Sequence, residues 1–280
     1  MIKIKSKIVF TTALIASIAL GAWFLQKPIN HFIVKRNLKK EMLSEKEATY
    51  LYALMQRVHA LFTSHNIPYF IDYGTLLGAV RNKGLIPYDN DLDIGILKRD
   101  LRQLHSLISR KKWRDIRHPN QGMYAGFEFR SPAFKDLFIY IHTADQDSSD
   151  IHLLRIGLKK NPRFSCDIFV YEKGPYKRLQ MTSAKLRQWY PLGYYAIDDV
   201  FTPKDQLDLT LLRFGPTHVY GFKNHTPYLN QIYPGWERSA VVNFWYAKKR
   251  MVFAFNEHPS LKKSANYDAA LYKSLTSSFS

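Results

Sequence analysis

The sequence predicts an α+β fold in which a mixed β-sheet is flanked by helices, behind an N-terminal transmembrane helix. Segments with period-two alternation and many aromatic residues alternate along the chain with segments of helical periodicity, which is typical of mixed folds. Hydrophobic residues make up 46% and aromatic residues 15% of the 280 positions, so a sizeable core can be buried. An uncharged run near the N-terminus supplies the transmembrane prediction.

That run predicts a basic tail and membrane anchor over residues 1–25. Residues 8–25 carry no charge, and these 18 residues would span about 27 Å as a helix, close to the thickness of a bilayer core. A cleavable signal peptide is the alternative, although Trp23 near the end of the run suits an interfacial anchor better. Lysines and arginines flank both ends. The side of the membrane therefore stays open: a Golgi lumen in a eukaryote, the cytoplasmic face or periplasm in a bacterium.

The remaining chain divides into a basic juxtamembrane linker (26–43), a catalytic domain (44–257) and a polar C-terminal tail (258–280). Ser44 and Glu47 have the spacing of a capping box, which predicts the start of an amphipathic helix that ends before Pro68. The other predicted elements are strands at 69–72, 92–97, 127–130, 137–141 and 164–171 and helices at 75–81 and about 99–109.

Composition narrows the classes of function. Lysine and arginine number 41 against 23 acids, a formal net charge of +18, which favours anionic partners such as nucleotides, phosphorylated substrates, anionic lipids or nucleic acid. The single cysteine, Cys166, excludes an intramolecular disulfide and a cysteine-rich zinc cluster. The chain has neither a Walker loop nor a G-x-S-x-G elbow, so nothing supports a P-loop enzyme or a serine hydrolase.

A glycine-led turn between a predicted strand and helix is the first chemical feature. Gly74 allows a ligand to approach the backbone closely, and the unpaired N–H groups at the helix start favour an anion. The hydroxyl of Thr75 can donate to a phosphate oxygen. These two residues predict a phosphate cradle.

The second feature is an alternation of acids at Asp89, Asp91 and Asp93. On an extended strand these side chains project to one face, where their repulsion calls for a cation. Hard oxygen ligands favour Mg²⁺ or Mn²⁺ over zinc. A solvated acidic loop is the alternative for the acids alone. A calcium loop is not supported, because the required glycine and later glutamate are missing.

Three blocks resemble signatures of the LicD/fukutin family, which includes bacterial phosphocholine transferases and ribitol-phosphate transferases. Residues 74–93 read GTLLGAVRNKGLIPYDNDLD, residues 165–169 read SCDIF, and residues 227–236 read PYLNQIYPGW. The resemblance covers roughly residues 45–240. It implies a nucleotidyltransferase-like fold, in which a later strand supplies a third acid, here Asp167.

The resemblance also implies a reaction. A phosphate-linked group, of phosphocholine or phospho-alditol type, would pass from a CDP-activated donor to a glycan hydroxyl, with release of CMP. Asp91, Asp93 and Asp167 are then the expected catalytic residues, and Asp89 joins them as a metal ligand. Asp167 is the first choice for the base that accepts the proton of the attacking hydroxyl.

Arg81 and Lys83 lie between the turn and the acids, so they are expected to contact donor phosphates. Asp72 is expected to cap the helix or orient Thr75. The aromatic residues of the third block, Tyr228, Tyr233 and Trp236, are expected either in the core or around a sugar or base pocket.

Two other functions remain open. A true nucleotidyltransferase would use the same turn and acids to transfer a nucleotide to a protein, RNA or small acceptor. A membrane-anchored binding protein would keep the fold without turnover. The anchor disfavours a nucleic-acid partner.

Overall fold

The computed structural model describes residues 38–118, 122–142, 153–174, 178–182, 200–204, 206–244 and 249–277. Among them, residues 38–42, 242–244 and 249–251 belong to one small compact unit, and the others form the main unit. Within these ranges no helix is both long and apolar enough to cross a bilayer. The predicted anchor (1–25) and most of the predicted linker (26–37) lie outside the described residues, so both stay predictions.

The first helix, α1, spans Glu45–Ser64 and begins as the sequence predicts. The Ser44 hydroxyl accepts the N–H of Glu47, and the Glu47 carboxylate accepts the N–H of Ser44, so two amide groups at the helix start are bonded. Most of its residues after Glu47 are buried, and they join the single large core cluster. The helix ends at His65, where Asn66 takes a left-handed conformation with φ 53°.

A mixed sheet of eight strands forms the centre of the main unit, in the order β1-β2-β7-β6-β5-β4-β3 with β8 paired to β7. Its strands are β1 Tyr69–Ile71, β2 Leu92–Leu97, β3 Ile108–His118, β4 Gly122–Phe129, β5 Leu137–His142, β6 Leu153–Leu158, β7 Asn161–Lys173 and β8 Leu179–Met181. Only β2 and β7 are parallel neighbours; every other pair in this sheet is antiparallel. The predicted mixed sheet is therefore confirmed.

The two faces of the central strands differ in chemistry. On β2, Leu92, Ile94 and Ile96 are fully buried and belong to the core cluster that also contains the apolar side of α1. Side chains alternate along a strand, so Asp93 projects to the opposite face. The register pairs it with Asp167 on β7, which projects to that same face.

Shorter elements complete the main unit, together with the hairpin that it shares with the small unit. They are α2 Tyr73–Leu77, which continues as a π-helical turn over Gly78–Asn82, α3 Leu101–Ser106, β9 Leu209–Phe214, β10 Thr217–Phe222, α4 Thr226–Ile232, β11 Ser239–Phe244, β12 Lys249–Ala254 and α5 Ala269–Thr276. The prediction that a helix runs to residue 109 was wrong, because β3 begins at Ile108. The predicted polar tail contains α5, and the N–H of Asp268 bonds the Thr49 hydroxyl of α1 at 2.9 Å.

Candidate active site

The glycine-led turn lies where the sequence predicts, between β1 and α2. Asp72 caps the helix: its carboxylate accepts the N–H of Tyr73 at 2.8 Å. Tyr73 has φ 39°, a left-handed conformation that costs a residue other than glycine roughly 1 kcal/mol or more. Gly74 and Thr75 follow in the first turn of α2. The backbone thus turns sharply at the edge of the sheet and presents these two residues next to β2.

Asp93 is held in place by that turn. Its N–H donates to the Thr75 hydroxyl oxygen at 2.8 Å, and its carbonyl accepts the N–H of Asp72 at 2.9 Å. Both backbone groups of Asp93 are therefore fixed by residues at the start of α2. The Thr75 hydroxyl still has a proton to donate, because it serves Asp93 only as an acceptor.

The prediction that Asp89, Asp91 and Asp93 share one strand was wrong in part. Only Asp93 lies on β2, which begins at Leu92, while Asp89 and Asp91 belong to the loop before it. A turn at Pro87 and Tyr88 bends the chain back, and the N–H of Asp89 bonds the carbonyl of Ile86. The turn nevertheless brings Asp89 to the glycine: a β-carbon on Gly74 would lie 2.3 Å from Asp89 Oδ2.

The electrostatics show that the four predicted acids lie close together. Burial, followed by contact with Asp91, raises the pKa of Asp89 well above its usual range. The pKa of Asp93 is also raised well above its usual range, first by burial and then by the charges of Asp91, Asp167, Asp89 and Asp72. These shifts mean that the cluster resists full ionisation unless a positive charge enters it.

Asp167 has a cationic partner that the sequence did not reveal. Arg155 on β6 lies directly beside it in the sheet and grips both carboxylate oxygens, from Nε to Oδ1 at 2.8 Å and from Nη2 to Oδ2 at 2.9 Å. Burial raises the pKa of Asp167 to about 6, even though Arg155 acts to lower it. A carboxylate with such a pKa is suited to accept a proton near neutral pH. The lone arginine in the apolar run LLRIGL was the available signal.

Asp72 proves to be the centre of a buried hydrogen-bond network. Its side chain is inaccessible to solvent and accepts hydroxyl hydrogen bonds from Tyr171 of β7, at 2.5 Å, and from Tyr228 of α4. Burial raises its pKa. The network ties the third sequence block to the turn. Tyr233 of that block also lies beside the acids, since its pKa is raised by burial and then by Asp93.

The two predicted phosphate-binding cations differ in position. Arg81 is buried, bonds Asn82 Oδ1 through Nε at 2.8 Å and Tyr88 Oη through Nη2 at 3.2 Å, and lies close enough to Asp89 to lower its pKa. Lys83 is exposed, with its ammonium bonded to the carbonyl of Val80 at 3.0 Å. Of the two, Arg81 is the one that the structure brings to the acid cluster.

The acids supply the hard oxygen ligands that Mg²⁺ and Mn²⁺ prefer. In the part of the chain that the structure describes, however, no three Asp, Glu, His or Cys side chains stand close enough together to form a ready-made metal site. The chemistry of the donor set fits a divalent cation, because the mutual repulsion at Asp93 is what such an ion relieves. Joint coordination would require side-chain rotation.

A mixed sheet, a glycine-led helix start and facing aspartates on two parallel strands together define a protein of nucleotidyltransferase-like fold. The sequence comparisons agree. The chain belongs to the LicD/FKTN/FKRP family, whose nucleotidyltransferase-domain model matches residues 66–194. The predicted family is thus confirmed, and the match includes the first two sequence blocks.

Three relatives illustrate the similarity. An uncharacterized protein of Rickettsia prowazekii is 30% identical over 81% of this chain and 70% of its own length, and one of Rickettsia typhi is 32% identical over 73% and 52%. The lipopolysaccharide cholinephosphotransferase LicD of Haemophilus influenzae is 32% identical over 46% of this chain and 55% of its own length. The chain thus spans about half to 70% of the length of these relatives.

Proposed function

We propose that this protein is a metal-dependent transferase that moves a phosphate-linked group from a CDP-activated donor to a glycan hydroxyl and releases CMP. Family membership and the cholinephosphotransferase relative support a transferase of this general type. The single observation that carries the proposal is the pairing of Asp93 and Asp167 on parallel strands beside the glycine-led turn. The group transferred is proposed to be of phosphocholine or phospho-alditol type.

Each residue has a stated part in this proposal. Asp89, Asp91, Asp93 and Asp167 would hold Mg²⁺ or Mn²⁺, which when bound would neutralise the pyrophosphate of the donor. Gly74 leaves room for the donor against the backbone of the turn, and the Thr75 hydroxyl donates to a phosphate oxygen. Arg81 balances charge on the side of Asp89. Asp167 accepts the proton from the attacking hydroxyl.

The membrane enters the proposal through the sequence alone. An uncleaved anchor over residues 1–25 would hold the catalytic domain near glycoconjugate acceptors at a membrane surface. The excess of lysine and arginine would favour both anionic headgroups and an anionic donor. The orientation in the membrane is left open in this proposal.

A donor panel tests the function. The full chain is incubated with CDP-choline, CDP-ribitol or CDP-glycerol, a glycan acceptor and Mg²⁺ or Mn²⁺, and the release of CMP is measured. Metal-dependent CMP release with one donor supports the proposal. Pyrophosphate released from a nucleoside triphosphate supports a nucleotidyltransferase instead, and donor binding without metal or turnover supports a binding protein.

Variants of the acids locate the reaction. Asp91→Asn and Asp93→Asn are expected to abolish turnover while circular dichroism remains that of the wild type, because each removes a ligand charge from the cluster. Asp100→Asn, beyond the opposite end of β2, is the matched control and should keep full activity. Thr75→Ala should lower the rate less severely. Turnover retained in either acid variant would remove that residue from the site.

A further inference from the structure

We propose that Arg155 is a donor-binding residue, whose guanidinium contacts phosphate oxygens of the donor on the Asp167 side of the acid cluster. This inference rests on the proposed function and adds to it the contact that holds the anionic part of the substrate. It also assigns a task to the one arginine that pairs with a predicted catalytic acid.

Position in the sheet is the first argument. Asp93, Asp167 and Arg155 are direct lateral neighbours on β2, β7 and β6, so the three side chains form a row on one face. Neighbouring strands lie about 4.8 Å apart, which places the α-carbon of Arg155 within about 10 Å of that of Asp93. A ligand bound at the two acids is therefore within reach of an arginine side chain.

The chemistry of the strand is the second argument. Leu154 and Ile156, which flank Arg155, are fully buried on the opposite face, and the Arg155 side chain itself is only 14% exposed. Burying a charged pair is expensive, and apolar residues of similar size often stabilise a protein as well or better. An arginine at this position is better explained by the ligand it serves than by stability.

The balance of charge is the third argument. The acid cluster contains the carboxylates of Asp72, Asp89, Asp91, Asp93 and Asp167, and a donor pyrophosphate adds further negative charge. Two arginines flank the cluster: Arg81 lowers the pKa of Asp89 and Arg155 lowers that of Asp167. A cation on each side would let an anion approach acids that would otherwise repel it.

Guanidinium geometry allows one arginine to do both tasks. Its plane carries five N–H donors, of which the Asp167 fork uses one on Nε and one on Nη2. The carboxylate fixes the plane in advance, so little side-chain entropy is lost when a phosphate oxygen binds. Asp167 thereby orients Arg155, and Arg155 binds the donor.

The test measures anion binding separately from turnover. The affinity of the full chain for inorganic pyrophosphate, with Mg²⁺ present, is measured by calorimetry for the wild type, Arg155→Gln, Arg155→Lys and Arg163→Gln. Arg163 is the matched control, because it is exposed and pairs with Glu47 at 3.6 Å. The KM and kcat for CDP-choline are measured on the same proteins.

We expect Arg155→Gln to weaken pyrophosphate binding about 10-fold or more and to raise KM, with Arg155→Lys intermediate and Arg163→Gln unchanged. Wild-type protein that does not bind pyrophosphate overturns the inference. So does an Arg155→Gln variant that lowers kcat alone, since Arg155 would then only position Asp167. An equal loss in Arg163→Gln would mean a general charge effect and also overturns it.

If circular dichroism shows that Arg155→Gln does not fold, Arg155→Lys decides the question through the same affinity measurement. The two proposals fail separately. Absence of CMP release from every CDP donor, with Arg155-dependent pyrophosphate binding intact, refutes the proposed reaction alone. CMP release with unchanged pyrophosphate binding in the Arg155 variants refutes only the present inference.

Discussion

The buried carboxylate of Asp72 allows a quantitative prediction of stability. In Asp72→Ala the hydroxyls of Tyr171 and Tyr228 and the N–H of Tyr73 all lose their acceptor. Each buried donor left without a partner costs about 1–3 kcal/mol, and loss of a helix cap about 1 kcal/mol. Because water can enter the small space left behind, we expect the free energy of unfolding to fall by about 3–5 kcal/mol.

Removal of the two hydroxyls tests the same network from the other side. Tyr171→Phe and Tyr228→Phe should each cost about 1–2 kcal/mol, and the double variant should cost more than either. Urea unfolding followed by tryptophan fluorescence gives these values. Tyr50→Phe is the control, because the Tyr50 hydroxyl makes no hydrogen bond within the described ranges and its loss should cost less than about 0.5 kcal/mol. A double variant as stable as this control would refute the network.

Two further predictions concern the glycine turn and pH. Gly74→Ala places a methyl group 2.3 Å from Asp89 Oδ2, so the carboxylate must move; CMP release is expected to fall about 10-fold or more, and an unchanged rate would separate Asp89 from the site. Burial, with a smaller contribution from His218, lowers the pKa of His59, so the unfolded chain binds a proton more readily than the folded one. Stability should therefore be lost as pH falls below about 6.5, and less so in His59→Gln; equal urea midpoint shifts between pH 7.5 and 5.5 in both proteins would contradict this.

The sequence predicted the centre of the site better than its surroundings. The turn at Gly74 and the strand that carries Asp93 were predictable, because local signals specify them: a glycine at a strand end, and acids that alternate with apolar residues. The facing position of Asp167 followed from the family resemblance, since pairing between distant strands is a tertiary property. The structure then supplied the register that makes Asp93 and Asp167 neighbours.

Other features were hidden from sequence reasoning for physical reasons. Asp89 and Asp91 fit the alternation of a strand, yet the turn at Pro87 excludes them from it. The pattern after residue 99 suits a helix and a strand equally, and pairing with β4 at the sheet edge decides where α3 ends. The fork between Arg155 and Asp167 joins two strands whose register no local signal fixes.

The parallel pairing of β2 with β7 has a consequence for how such proteins can diversify. Between these adjacent strands the chain runs outward through β3, β4, β5 and β6 and returns, so the whole excursion from about residue 98 to 160 lies on the far side of β7. Residues can be gained or lost there without shifting Asp93 relative to Asp167. The catalytic pair is thereby insulated from changes in the outer strands, which leaves that half of the sheet open to remodelling for new acceptors.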